Sequence, residues 1–214
     1  HNAGYLASNS SYSNFIGGFA GLYVNDSTYS NFMGYYAGYA ASNSSYSNFM
    51  SEQAGFSASN SSYSNFIGRG AGYQASGSSY SNFMGTLAGY SASGSSYSNF
   101  MGYSAGKNLI LSDYTIAIGY QAGYHTSANT ATGCIFIGKN AKTNGTTISN
   151  STVLGNDITI TGSNIVVIGN TSQNIGIGGL TNPSYKLDVS GDGRFTSSLL
   201  VSSTLTATSG SFTQ

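Results

Sequence analysis

One stretch, Ala71-Gly72-Tyr73-Gln74-Ala75-Ser76-Gly77-Ser78-Ser79-Tyr80-Ser81-Asn82-Phe83-Met84-Gly85, is the unit that most of the chain copies. Displaced by 17 residues it recurs: the Ala-Gly pair begins at Ala3, Ala20, Ala37, Ala54, Ala71, Ala88, Ala105 and Ala122. A fixed short period means one structural unit stacked on copies of itself, so the architecture is a repeat array before any element is assigned. Each unit carries glycines and a Ser/Asn cluster that break helices, which leaves extended structure and turns. Tyr12-Ser13-Asn14-Phe15-Ile16, closed by Gly17, reads as a strand. A second, shorter extended piece is expected over Tyr5-Leu6-Ala7, with Ser8-Asn9-Ser10-Ser11 as a polar corner.

The repeat divides the chain. Residues 1–104 hold six regular units, marked by Tyr12, Tyr29, Tyr46, Tyr63, Tyr80 and Tyr97. Residues 105–180 drift: Gly119 to Gly138 is stretched by two residues, Gly138 to Gly155 returns to 17, and Gly155 to Gly169 shortens to 14. Ile116-Ala117-Ile118-Gly119, Ile135-Phe136-Ile137-Gly138, Thr152-Val153-Leu154-Gly155 and Val166-Val167-Ile168-Gly169 read as further rungs of the same solenoid. Residues 181–214 read as a C-terminal stalk or entwined β region, with Leu199, Leu200, Val201, Leu205 and Phe212 as its apolar residues. The chain opens on His1 rather than Met, which reads as a fragment or a processed product.

Side-chain alternation in a strand sends neighbours to opposite faces. If Ile16 and its equivalents Ile118, Ile137 and Ile168 face the interior, then Phe15, Phe32, Phe49, Phe66, Phe83, Phe100 and Phe136 form an exposed aromatic stripe. An apolar patch of that length calls for association, and burying each ring is worth about 1.5–3 kcal/mol. A parallel homo-oligomer with the Phe stripes on its axis follows. The same alternation places Asn14, Asn31, Asn48, Asn65, Asn82 and Asn99 inside, where identical amides one rung apart pair as a ladder. The opposite orientation, with Phe inside and Asn and Ile/Met outside, is the alternative.

Chemistry has little to stand on. Six cationic and six acidic residues cancel to zero net charge, which removes the clustered Lys and Arg that nucleic-acid binding needs. No run of 18 apolar residues is present, so no membrane insertion is expected. The six acids are scattered over different units, and no carboxylate pair for glycoside hydrolysis is suggested. Asp113, His125 and Ser127 lack the signature of a triad, and no metal cluster or cofactor loop is recognisable. Cys134, in an apolar run, reads as a buried hydrophobe. No catalytic, cofactor or metal site is therefore expected, and the chain is read as a non-enzyme. Exposed tyrosines such as Tyr35, Tyr36 and Tyr103 are candidates for stacking on sugars, with rung-to-rung stacking the reading for the periodic ones.

Two resemblances carry a functional expectation. Ile116-Ala117-Ile118-Gly119, followed by Ala122, resembles the hydrophobic-Ala-Ile-Gly-x-x-Ala signature of trimeric autotransporter adhesin heads. It implies a parallel β-roll with three chains side by side. The match is good over residues 105–169; in residues 1–104, Asn-Phe replaces the aliphatic-Ala pair. Asn182-Pro183-Ser184-Tyr185-Lys186-Leu187-Asp188-Val189, continuing to Phe195, resembles the segment before the intramolecular chaperone domain of phage tail fibres and tailspikes. That family trimerises with the chaperone's help and then sheds it. The expectation is thus an all-β parallel β-solenoid (β-roll) of 17-residue repeats in a homotrimeric extracellular fibre. A phage tail fibre for host attachment comes first, a bacterial trimeric surface adhesin second and a polysaccharide-processing β-helix third. The partner is the chain itself, with a cell-surface glycan as a further candidate.

Overall fold

The computed structural model describes residues 2–177 and 183–190, and it divides between Ser172 and Gln173 into two compact units. The strands, in chain order, are β1 (Asn14–Ile16), β2 (Asn31–Met33), β3 (Asn48–Met50), β4 (Asn65–Ile67), β5 (Asn82–Met84), β6 (Asn99–Met101), β7 (Ile116–Ile118) and β8 (Thr130–Thr132). They continue as β9 (Ile135–Ile137), β10 (Lys142–Thr143), β11 (Thr147–Ser149), β12 (Thr152–Leu154), β13 (Thr159–Ile160), β14 (Val166–Ile168), β15 (Ile175–Ile177) and β16 (Leu187–Val189). In the first unit one parallel sheet of ten strands runs β1-β2-β3-β4-β5-β6-β7-β9-β12-β14. Its register pairs identical positions, Asn65 with Asn82, Phe66 with Phe83 and Ile67 with Met84. The fold is a parallel β-solenoid, and the drifting units after residue 105 continue the same sheet without a break. The second unit pairs β15 with β16, also in parallel. Of the residues expected to form a stalk, those from 191 onward lie outside the described residues.

Between the strands the chain advances by overlapping turns. In the fourth unit Ala71, Tyr73 and Ala75 donate their N–H groups to the carbonyls of Gly68, Gly70 and Gly72, at 3.0, 3.3 and 3.0 Å. Every second residue there is left-handed: Gly70 at φ +64°, Gly72 at +63° and Gln74 at +56°. This is a run of type II turns. The same residues bond to the rungs on either side, Gly70 N–H to Glu52 O at 2.9 Å and Gly72 N–H to Ala88 O at 2.9 Å. The extended piece expected over Tyr5-Leu6-Ala7 is instead such a turn, with Leu6 at φ +59° and Ala7 N–H bonded to Gly4 O. In the six regular units the period accommodates one strand per coil, and the turns supply the rest of the ladder; the coils after Gly119 add β8, β10, β11 and β13.

The core overturns the expected orientation of the strands. Phe32, Phe49, Phe66, Phe83, Phe100 and Phe136 are fully buried within their own chain, and the half-buried Phe15 packs against the same cluster. Asn and Ile/Met point outward. The facing wall explains this. In the regular coils the ring lies against the glycine of an Ala-Gly pair: a Cβ on Gly72 would stand 2.2 Å from Cδ2 of Phe66. In each regular coil one flat ring fills that narrow section and stacks at the rung spacing, 4.8 Å for Phe49–Phe66 and Phe66–Phe83, with planes within 6°. Buried serines close the remaining corners. Ser61 Oγ donates to Ala75 O at 2.9 Å and accepts from Ser78 N at 3.1 Å, and the next copy repeats the pattern through Ser78 Oγ and Ala92 O. Buried hydroxyls are thereby satisfied by the neighbouring rung.

Candidate functional site

Two features of the first unit stand apart from its core. The first is the outer face of the ten-stranded sheet. Outward-facing residues two apart make three columns along the stack: Tyr12 to Tyr114, Asn14 to Asn99, and Ile16 to Ile168. In the Asn column each Nδ2 donates to Oδ1 one rung on, at 2.7–2.9 Å. The expected amide ladder therefore exists through Asn14, Asn31, Asn48, Asn65, Asn82 and Asn99, but it runs on the outside. Beside it the apolar column stays open to solvent, with Met84 39 % and Ile168 50 % exposed. The tyrosines stack face to face, Tyr63–Tyr80 at 4.9 Å and 3° between planes. Between the ends of the column their faces are taken by one another, so there only ring edges and hydroxyls meet solvent. That geometry withdraws the stacking surface a sugar ring needs from this column.

At the corner that follows the strands, Glu52, Arg69 and Lys139 are exposed. Tyr35, also exposed, packs edge-on against Tyr36 with centroids 4.4 Å apart.

The second feature is a cavity of about 250 Å³ at the stretched coil, lined among others by Tyr124, His125, Ser127, Asn129, Lys142 and Thr146. The two extra residues between Gly119 and Gly138 make room for β8, which leaves the main sheet and pairs with β11. Asn129 is held by backbone bonds to Asn108 O and from Ile110 N, at 3.0 and 2.7 Å. His125 is anchored through its own N–H to Lys107 O and its carbonyl to Asn108 Nδ2. Both side chains are more than nine-tenths buried, His125 at 9 % and Asn129 at 7 % exposure. Among the described residues, His125 Nε2 and Asn129 Oδ1 are the buried side-chain polar atoms without a hydrogen-bond partner. Lys142 and Lys107 lay their ammonium groups over the Tyr124 ring, 6.0 and 5.8 Å from its centroid.

Burial, with Lys142 beside it, lowers the His125 pKa from 6.5 to about 4. An unfolded chain takes up that proton near pH 6.5, and the folded one only near pH 4. His125 thus favours the native state fully above pH 6.5, and this contribution is lost as the pH falls toward 4. In urea titrations at neutral and acidic pH, His125→Gln is expected to shrink the acid-induced loss of stability. An unchanged loss would show that this imidazole is not what senses the proton.

Of the triad considered from sequence, His125 and Ser127 meet at this cavity, whereas Asp113 accepts from Ser96 N at 2.7 Å as part of the ladder. Burial pushes the Cys134 thiol upward, against nucleophilic use. Among the described residues no group of His, Cys, Asp and Glu is arranged to hold a metal ion, and no helix is long and apolar enough to cross a membrane. No signal in the sequence marked Asn129 or the orphaned imidazole except the two-residue insertion itself. No protein-family model matches the chain, nor does a curated protein or a solved structure.

Proposed function

We propose that the chain forms the shaft of an extracellular homotrimeric fibre, a phage tail fibre for host attachment in the first instance. The observation that carries this reading is the open column of Ile and Met beside the Asn ladder on a sheet of ten parallel strands. A soluble chain seldom leaves a continuous apolar stripe in water. Parallel copies related by a rotation axis would cover it, rung against rung, with the Asn column at the margin. The contact surface is therefore the Ile/Met column and not the Phe rings, which each chain buries for itself. The resemblance to trimeric adhesin heads over residues 105–169 supports three copies, and the one over residues 182–195 supports a tail fibre. A bacterial surface adhesin shares the assembly and differs in what adjoins the chain. A polysaccharide-processing enzyme is the weakest reading: the cavity at His125 has no carboxylate in its lining.

Sedimentation equilibrium of the full chain is expected to give three times the 22.0 kDa monomer mass. Met84→Glu with Ile118→Glu would set carboxylates against one another at the axis and yield monomers with an unchanged far-UV spectrum. A parent chain that sediments as a monomer would sink the fibre reading. Turnover of a polysaccharide by the purified protein would sink the structural one.

A further inference from the structure

The tyrosine column ends where the period fails, and it ends on an open face. From Tyr12 to Tyr114 each ring lies on the next at 4.9–5.1 Å, with planes within 10°. Strand register carries the same position onward to Gly133, Asn150 and Asn164. The backbone keeps its left-handed conformation there, with φ +57° at Tyr114, +63° at Gly133 and +50° at Asn150. The chain has kept the place of a ring and withdrawn the ring. Tyr114 is 64 % exposed, against 49 % for Tyr97, which has a ring on each face. Among the described residues no aromatic ring meets the second face of Tyr114.

The slot so formed has a size and a lining. Tyr114 and Asn150 stand two rungs apart, about 9.6 Å at the spacing of paired strands. One ring in contact with both needs about 7–8 Å and two stacked rings about 10.5–12 Å, so a single ring fits. Gly133 leaves the back wall bare: a Cβ there would find Asn150 Oδ1 as its nearest neighbour, at 3.2 Å. Asn150 is exposed, and its Nδ2 donates to Asn164 Oδ1, which leaves its own Oδ1 as an acceptor beside Gly133. Two residues along each strand, where regular coils carry the Asn ladder, stand Ile116 and Ile135. A flat ring with an apolar edge and one O–H answers this lining. A pyranose carries hydroxyls around its rim and would set some of them against isoleucine without partners. The occupant that the column itself holds in every preceding rung is a phenol.

We propose that the slot between Tyr114 and Asn150 binds a planar aromatic ring bearing a hydroxyl, a phenolic ligand that continues the tyrosine stack by one place. This goes beyond the fibre reading. The slot belongs to one chain and lies in the tyrosine column, which the Asn column separates from the Ile/Met contact. It therefore holds or fails whether or not the chains associate.

The test is NMR on the full chain labelled at asparagine, with p-cresol as the probe. A saturable shift of the Asn150 side-chain amide is expected, with a Kd on the order of millimolar, while Asn48 and Asn65 in the middle of the ladder stay unmoved. Methylcyclohexanol, of the same size but not flat, is expected to bind about threefold to tenfold more weakly, the worth of one aromatic stack. Methyl glucoside is expected to leave Asn150 unmoved. Gly133→Tyr fills the slot with the column's own ring, in a backbone conformation that Tyr114 already adopts, and should abolish the response. Tyr114→Leu removes the platform and should abolish it as well, at an unchanged far-UV spectrum. The proposal is overturned if p-cresol does not move Asn150, if methylcyclohexanol binds as tightly, if the glucoside saturates the site instead, or if the shift persists in either variant.

Discussion

Phe66→Ala is expected to destabilise the solenoid by about 3–5 kcal/mol, among the largest effects open to a single side chain here. Phe66 is wholly buried and stacks on Phe49 and Phe83 at 4.8 Å on each side, so truncation empties one rung and removes a partner from two others. Aromatic pairs add about 0.5–1.5 kcal/mol each to the loss of apolar burial. In a stack where each coil touches only its neighbours, the damage is local but central. Urea unfolding followed by circular dichroism measures it, and a loss below about 1 kcal/mol would contradict a Phe-filled core.

The chain itself contains the control for that substitution. In β7 the Phe position is Ala117, between Phe100 and Phe136. Eight residues earlier, where Ala41, Ala58, Ala75 and Ala92 stand in four of the regular coils and Val24 in another, is the fully buried Leu109. A Cβ on Gly123 would find Leu109 Cδ1 at 3.1 Å and Ala117 Cβ at 3.2 Å, in the place where the other coils present a ring. The large residue has moved from the sheet to the turn while the volume is kept. The position equivalent to Leu109 in the coil of Phe66 is Ala58. Ala58→Leu in the Phe66→Ala background should therefore recover about half of the loss, a coupling in the usual range of about 0.5–3 kcal/mol between touching residues. A double variant no more stable than Phe66→Ala alone would refute the exchange.

The period of 17 and the parallel stacking were legible because a repeated unit can only satisfy itself by lying on its copy. Which face turns inward was not legible from alternation alone, since Asn14-Phe15-Ile16 permits both orientations. Two signals in the units themselves decided it. The third position varies between Ile and Met, as in Ile67 and Met84, whereas Phe stands in the middle of all six regular units, and the invariant Ala-Gly pair is the small wall such a ring requires. The turns were hidden for a different reason. Tyr63 and Tyr80 adopt φ near +58° although their type does not favour it; the ring stack and the rung-to-rung bonds hold them there. The interchange of Asn60, Gly77 and Gly94 at one register position, and Gly70 in the register of Gln53 and Leu87, do betray left-handed sites. The cavity could not be read at all, because it arises where the period fails.

The residue that closes each strand makes the other large prediction. Gly68 sits at φ +130°, and a Cβ there would stand 2.6 Å from the backbone C and O of Gly85 in the next rung. That conformation is essentially reserved for glycine and costs other residues about 1–3 kcal/mol, before any displacement of the rung. Gly68→Ala is expected to lose about 3 kcal/mol or more, because the obstructing atoms are main chain and cannot rotate away. The column runs through Gly17, Gly34, Gly68, Gly85, Gly102 and Gly119 with one departure: Ser51, at φ +113°. The same argument with its sign reversed makes Ser51 a stored strain. Ser51→Gly relieves about 1–3 kcal/mol in the folded chain and gives back about 0.5–1 kcal/mol through the freer unfolded one. A net gain of about 1 kcal/mol is expected on that balance, read as a higher urea midpoint at unchanged slope. If Ser51→Gly lowers the midpoint while Gly68→Ala leaves it in place, then rungs are not held apart by bare backbone at this column, and the close stacking of the coils has another origin.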